Sequence, residues 1–205
     1  MRTEKDALVD RLLMLFAIEF GNKYGHMDGS FKLMKIPFMA QLESTEHGVN
    51  TFNYTFYRYD HGPITTEIYE DASQLHKAGL LNVSPQGKCP ISTTEEGRKV
   101  ISGLTDLYAE NRDVCRFVEE SAKSYAGMSF GTLKSKVYER EVMVEGEKIK
   151  VADFPCYQTV LSKLDGDVQH FVLDDDWIDS IWGDFNYTDE QKAMARKIHP
   201  SPAFA

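Results

Sequence analysis

Cysteine is scarce in this chain: Cys89, Cys115 and Cys156 are widely spaced and form no C-x-x-C pair. That number and spacing support neither a disulfide framework nor a zinc site, so reduced thiols and a cytoplasmic location are expected. Positive charge is also in short supply. Lys and Arg total 23 against 32 Asp and Glu, a formal net charge of -9. General attraction to nucleic acid or anionic membrane is therefore not expected, since both depend on clustered cations. No apolar run reaches the roughly eighteen residues of a membrane span. The first turn carries Glu4, Asp6 and Asp10 where a signal peptide would be basic and then apolar. Internal repeats and low-complexity tracts are lacking too.

The motifs of common catalysts are missing as well. There is no G-x-x-x-x-G-K-[ST], no G-x-G-x-x-G and no G-x-S-x-G. The six histidines have no H-x-x-x-H spacing and no cysteine partner, so no metal is expected. Asp174-Asp175-Asp176 lacks the alternation and glycine of a calcium loop and reads as an acidic helix start. Asp60 and His61 are adjacent, and neighbours on a strand point to opposite faces, so they read as turn residues rather than a catalytic pair. Cys89 beside Lys88 is a lone thiol with no assigned base. Neither catalytic nor cofactor-binding residues are expected.

What is present is ordinary globular composition, 42% hydrophobic and 27% charged, enough for one core with an appended lobe. Thr3 caps a helix bearing Val9, Leu12, Leu13, Phe16, Ala17 and Phe20, apolar almost all round and hence central. Ser30 caps FKLMKIPFMAQL, with Leu33, Ile36 and Ala40 on one face and a kink at Pro37. TFNYTFYRY alternates as a strand that Gly62-Pro63 stops. Thr65 then caps TEIYEDASQLHKAG, whose inward stripe is Ile68, Ala72 and Leu75. LLNVS and PIST read as strands around the turn PQGKCP. Thr93 to Glu96 has capping-box spacing and opens a long helix, broken at Asn111. Ser129 caps a short helix, and VMVEGEKIKV forms a hairpin turning at Glu145-Gly146. A short helix at YQTVLSKL and a strand VQHFVL follow. The tail from Asp174 places Trp177, Ile178, Ile181 and Trp182 on one helical stripe, with a second capped piece at Thr188 and Gln191.

This order predicts an α+β, mainly helical protein with a winged-helix-like core, an added long helix and a small C-terminal α/β extension. The expected division is 1–140 for the winged-helix-like domain and 141–205 for the extension, packed on or beside it. The helix at 65–78 would be the recognition helix, and it is read as exposing Glu67, Glu70 and Asp71 against Lys77 alone. Carboxylates facing a phosphate groove repel by a kcal/mol scale per close pair, even after screening. Lys88, Arg58, Lys32 and Lys35 are candidates for a local basic patch elsewhere, with ordinary solvated surface the favoured reading.

Several stretches carry a resemblance. FKLMKIPFMAQ, YRYDHGPITTEIYEDASQLHKAGLL, STTEEG and FGTLKSKVYE are similar to successive segments of the Panacea (SocA-type) antitoxin domain and of the related YwgA-like, phage-associated proteins. The match spans roughly residues 5–138; Pro37 departs from it, and residues 141–205 lie beyond it. The resemblance implies a winged-helix-like scaffold that binds a toxin encoded beside it, with no catalytic or cofactor residues.

The expected function is thus a non-catalytic protein-binding module, an antitoxin that neutralises a cognate toxin or another phage-linked effector by direct binding. The partner-binding candidates are Tyr57, Tyr59, Asp60, His61, Glu67, Glu70 and Asp71, with Trp177 and Trp182 if the tail stripe is exposed. The alternative is a winged-helix DNA-binding transcription regulator, a homodimer joined through the helix at 95–125. The third reading is an enzyme of unrecognised type.

Overall fold

The computed structural model describes residues 2–83, 90–174, 176–178 and 188. Thr3 caps α1 (Glu4–Tyr24) in a full capping box with Asp6, whose carboxylate accepts from the Thr3 amide. Every residue from Ala7 to Ile18 except Arg11 is buried, so this helix is the axis of the core. After the short β1 (Met27–Asp28), α2 (Gly29–Thr45) starts at Gly29 rather than behind a Ser30 cap and runs through Pro37 without ending. It too is buried nearly all round, including Lys32 and Lys35, and not along one face as the spacing suggested.

The segment after α2 holds β2 (Val49–Asn50), β3 (Phe56–Tyr59) and β4 (Gly62–Ile64). The expected long strand is shorter than its sequence pattern, since only residues 56–59 pair. Phe52, Tyr54 and Phe56 do all point inward and are fully buried. Gly62-Pro63 is the start of a returning strand and not a hinge into a helix. Tyr59 pairs with Gly62 across the two-residue turn Asp60-His61. Gly62 sits there at φ 92°, where a side chain would be strained.

Next come α3 (Glu67–Lys77), β5 (Leu81–Asn82), β6 (Pro90–Thr93) and α4 (Glu95–Gly103). The cap of α4 is Thr94, whose hydroxyl accepts from the Gly97 amide. The expected box at Thr93 and Glu96 is displaced by one residue, because Thr93 bonds Glu19 of α1 instead. Gly97 is also a contact point: a Cβ there would stand 2.3 Å from the Leu80 carbonyl.

Helices α5 (Thr105–Glu110), α6 (Arg112–Tyr125) and α7 (Phe130–Glu139) follow, with the break at Asn111. The amide of Asn111 donates to the carbonyls of Leu107 and Val172. α6 lies against both α1 and α2. The hairpin β7 (Glu141–Val144) and β8 (Glu147–Lys150) turns at Glu145-Gly146, both at positive φ.

Two later strands tie the C-terminal part back to the first. β9 (Thr159–Leu161) pairs antiparallel with β3, and β10 (Gln169–His170) pairs parallel with β2. The helix expected at YQTVLSKL is therefore a strand. Phe154, Val160, Leu161, Phe171, Leu173 and Ile178 join the same apolar core as α1, α2 and α6.

The molecule is α+β and mainly helical. Within it, β1, β6 and β5 form one antiparallel sheet in that order. The succession α1, β1, α2, α3, β5, β6 is that of a winged helix, with β2, β3 and β4 inserted before α3. Among the described residues no helix is long and apolar enough to cross a membrane.

Candidate functional site

Strand alternation puts Tyr57 and Tyr59 on one face of the sheet ordered β4-β3-β9, and Phe56 and Arg58 on the other. Phe56 is buried in the core, so the tyrosine face looks outward. Tyr57 is 43% and Tyr59 38% exposed. A third ring, Tyr157, precedes β9 and is 74% exposed. It stands edge-on to Tyr59 with ring centroids 5.7 Å apart.

Tyr157 has a left-handed backbone at φ 69°, a conformation that a bulky residue seldom adopts. Two backbone hydrogen bonds hold it there. Its amide donates to the Arg58 carbonyl at 2.7 Å, and the Arg58 amide donates to the Gln158 carbonyl at 2.8 Å. Such a backbone costs on the order of 1–3 kcal/mol and persists where the surroundings over-determine it. Here the result is an aromatic ring set out in solvent. Tyr57, Tyr59 and Tyr157, with Ile64, Thr65 and Thr66, line an apolar pocket of about 240 Å³. No local pattern in FPCYQT signals this tyrosine; the pairing of β9 with β3 creates its position.

The acidic candidates fare differently. Asp60 and His61 are exposed in the β3–β4 turn, next to the tyrosines, and no hydrogen bond joins them. His61 meets the ring of Phe130 edge-on at 6.0 Å. Glu70 is exposed on α3 beside Tyr69. Glu67 is half-buried and turned inward, accepting from the Thr65 hydroxyl at 3.2 Å and the Thr55 amide at 3.3 Å.

Asp71 is fully buried, which corrects its expected place on the exposed face. Its Oδ1 accepts from Arg11 Nε at 2.8 Å, and its Oδ2 accepts from Arg2 Nη2 and from the Tyr54 hydroxyl. Arg2 Nε donates in turn to Asp10 Oδ2 at 2.7 Å, and Asp10 Oδ1 takes the Asn53 amide at 2.8 Å. Two carboxylates and two guanidiniums thus form one network linking α1, α3 and the strand segment. Burial first, and the charge of Asp71 next, push Asp10 up to about 7, against the pull of Arg2. Helical spacing carried the signal for Asp71. It lies three residues after Ile68 and four before Leu75, on the inward stripe.

The basic residues read as surface are corrected too. Lys32 and Lys35 are buried. Lys32 Nζ donates to the carbonyls of His26 and Ala126, and Lys35 Nζ to that of Pro63 at 2.5 Å. Burial, then the charge of Arg58, lowers Lys35 to about 7.

In the tail, Asp174 caps the turn at 176–178, its carboxylate accepting from the Trp177 amide at 2.9 Å. Ile178 is buried and Trp177 packs against the core in part. Ile181, Trp182, the Gln191 box position, Cys89 and Lys88 lie outside the described residues. Cys115 is buried and its thiol is raised to about 12 by that burial, whereas Cys156 is exposed. Among the described residues no three His, Cys, Asp or Glu side chains come together to hold a metal ion. No family model matches this chain, and no curated protein or solved structure matches it either.

Proposed function

We propose that this chain is a non-catalytic protein-binding module and that the Tyr57, Tyr59 and Tyr157 face is its interface. The observation that carries this reading is the strained, exposed Tyr157 beside two further exposed tyrosines around an apolar pocket. Tyrosine offers a large, rigid contact area with a polar tip at small entropic cost, which is why it recurs at binding hot spots. Asp60, His61 and Glu70 form the polar rim. The resemblance to the Panacea (SocA-type) domain supports a toxin as the partner, neutralised by direct binding.

Co-expression with the product of the neighbouring reading frame tests this. The wild type relieves growth arrest by that product, and a Tyr59→Ser, Tyr157→Ser double variant of unchanged melting temperature does not. Undiminished neutralisation by the double variant sinks the interface assignment.

A transcription regulator is the second reading, favoured by the winged-helix topology and by exposed Ser73, Gln74 and Lys77 on α3. With Asp71 buried and Glu67 turned inward, Glu70 is the one fully exposed carboxylate of that helix. The electrostatic argument against DNA is weaker for it. Fluorescence anisotropy separates the readings. A protein-binding module holds duplex DNA no more tightly than the non-specific range of about 10⁻⁴–10⁻⁶ M at physiological salt. Nanomolar, sequence-dependent binding selects the regulator.

A further inference from the structure

The pocket bordered by Tyr57, Tyr59 and Tyr157 holds about 240 Å³. Small-molecule sites run from about 300 to 1,000 Å³, so this one suits a single side chain rather than a whole metabolite. The planes of the Tyr59 and Tyr157 rings stand at 60°, and the two therefore make a corner and not a stack. Ile64, Thr65, Thr66 and Arg58 complete the lining, and of all these residues only Arg58 carries charge.

That charge is turned away. Strand alternation sends the Arg58 side chain to the other face of the sheet, where its guanidinium carbon lies 4.8 Å from the centroid of the Tyr138 ring on α7. Its Nε and Nη1 are closed to solvent there. The surroundings of the pocket are otherwise acidic. Asp60 is exposed in the turn directly after Tyr59, and Glu70 is exposed on α3. The positive end of α3 lies at Thr66, and Glu67 and Glu70 in its first turn offset it. The Tyr157 phenol feels this field. The neighbouring Tyr59 first, then some loss of water, then Asp60 hold it above its ordinary value.

The face of an aromatic ring is negative and attracts a cation within about 6 Å of its centroid. This chain uses that attraction for its own side chains: Arg2 stands 4.9 Å over Tyr54, and Lys123 stands 5.8 Å over Tyr24. Among the described residues no cation stands over Tyr57, Tyr59 or Tyr157. Three exposed rings, an acidic rim and a net charge of -9 share one complement, a positive group on an apolar stem.

We propose that the tyrosine pocket is an aromatic cage that receives one lysine or arginine side chain of the protein partner. The proposal rests on the reading of this face as the interface, and it names the chemistry of what enters. The apolar stem lies against Ile64 and the ring carbons, and the charged head meets the ring faces with Asp60 at the rim.

NMR titration of the isotopically labelled full chain tests it, at pH 7 and constant ionic strength. The probes are n-butylammonium chloride, the lysine side chain from Cβ outward, and neutral n-butanol of the same length. The amides of Tyr59, Thr66 and Tyr157 report binding, and the ammonium binds about 3–30-fold more tightly than the alcohol. Tyr157→Leu and Tyr59→Leu keep an apolar wall and abolish that preference, whereas Tyr157→Phe retains it. Tyr69→Leu, at an exposed tyrosine of α3 outside the pocket, leaves it intact. Equal affinity for the two probes, no shift at the pocket, or a preference that survives both leucine variants overturns the proposal. The comparison of probes on the wild type decides the matter even where a variant misfolds. No partner is present in the titration. Loss of neutralisation in the Tyr59→Ser, Tyr157→Ser double variant, without an ammonium preference in the wild type, therefore keeps the interface and discards the cage.

Discussion

Lys35 illustrates how a single side chain departs from its sequence neighbourhood. Between apolar residues of a buried helix, a lysine either reaches water or pays for desolvation, and this one ends on the Pro63 carbonyl beside Arg58. A base whose folded pKa is depressed destabilises the fold most below that pKa, and the cost fades as pH rises from about 7 toward the unfolded value. In chloride, Lys35→Met therefore melts above the wild type at pH 6, with a gap that shrinks by pH 10. A gap of constant size across that range refutes the charge argument. Asp71, by contrast, is buried with charged partners, Arg2 and Arg11, and the Tyr54 hydroxyl. Asp71→Asn leaves Arg2 and Arg11 short of charge and costs about 3–5 kcal/mol by urea unfolding, the usual price of breaking a buried pair. A loss below about 1 kcal/mol contradicts this account of the network. Tyr157→Gly relieves the left-handed backbone while adding chain entropy to the unfolded state, two terms of about 1 kcal/mol that oppose each other. Its melting temperature stays within about 3 °C of wild type, while partner binding falls if the ring is a contact.

Among the elements, β9 and the turn at 176–178 show what pairing and docking do beyond local preference. YQTVLSKL has apolar Val160, Leu161 and Leu164 at helix-compatible spacing, yet β-branched Thr159 and Val160 suit a strand equally well. The partner strand β3, about a hundred residues earlier in the chain, decides the matter. The 176–178 turn is anchored by the Asp174 cap and by burial of Ile178. Ending the chain at residue 173 removes that anchor, and a lost buried Ile side chain alone costs about 2–5 kcal/mol. Denaturant unfolding of the truncated chain reads this out. Unchanged stability with loss of partner binding makes the tail an interface instead of a closing element.

For the whole molecule, the winged-helix order and the inserted three-stranded sheet share one core built on α1, α2 and α6. Its ionisation gives a distinctive pH profile. Asp10 is held above the ordinary carboxylate range, so its contribution declines as pH rises from about 4 to about 7. Lys35 adds its own cost up to about 7 and releases it above. Asp6 runs the other way: its carboxylate is lowered by the Thr3 cap and Lys163, and that stabilisation is lost at acid pH. Stability measured from pH 5 to 10 in chloride therefore passes through a shallow minimum near neutrality, and Lys35→Met removes its alkaline limb. A monotonic fall across that range rules out the assignment of these two groups.

Local chemistry was enough to place α1, α3, α4, α6 and α7, because caps at Thr3 and Ser129 and stripes such as Ile68, Ala72 and Leu75 act within a few residues of each other. The Glu145-Gly146 hairpin was legible for the same reason. Exposure of Tyr57 and Tyr59 followed from strand alternation. Burial of charge did not follow from any such rule. Whether Asp71, Lys32 or Lys35 meets water or a partner depends on groups up to about ninety residues away, and a charged side chain looks the same in sequence whichever it meets. Tyr157 belongs to this second kind, since its left-handed backbone exists only because β9 is hydrogen-bonded to β3. Short-range hydrogen bonding and periodicity set the helices; long-range pairing and desolvation set the site.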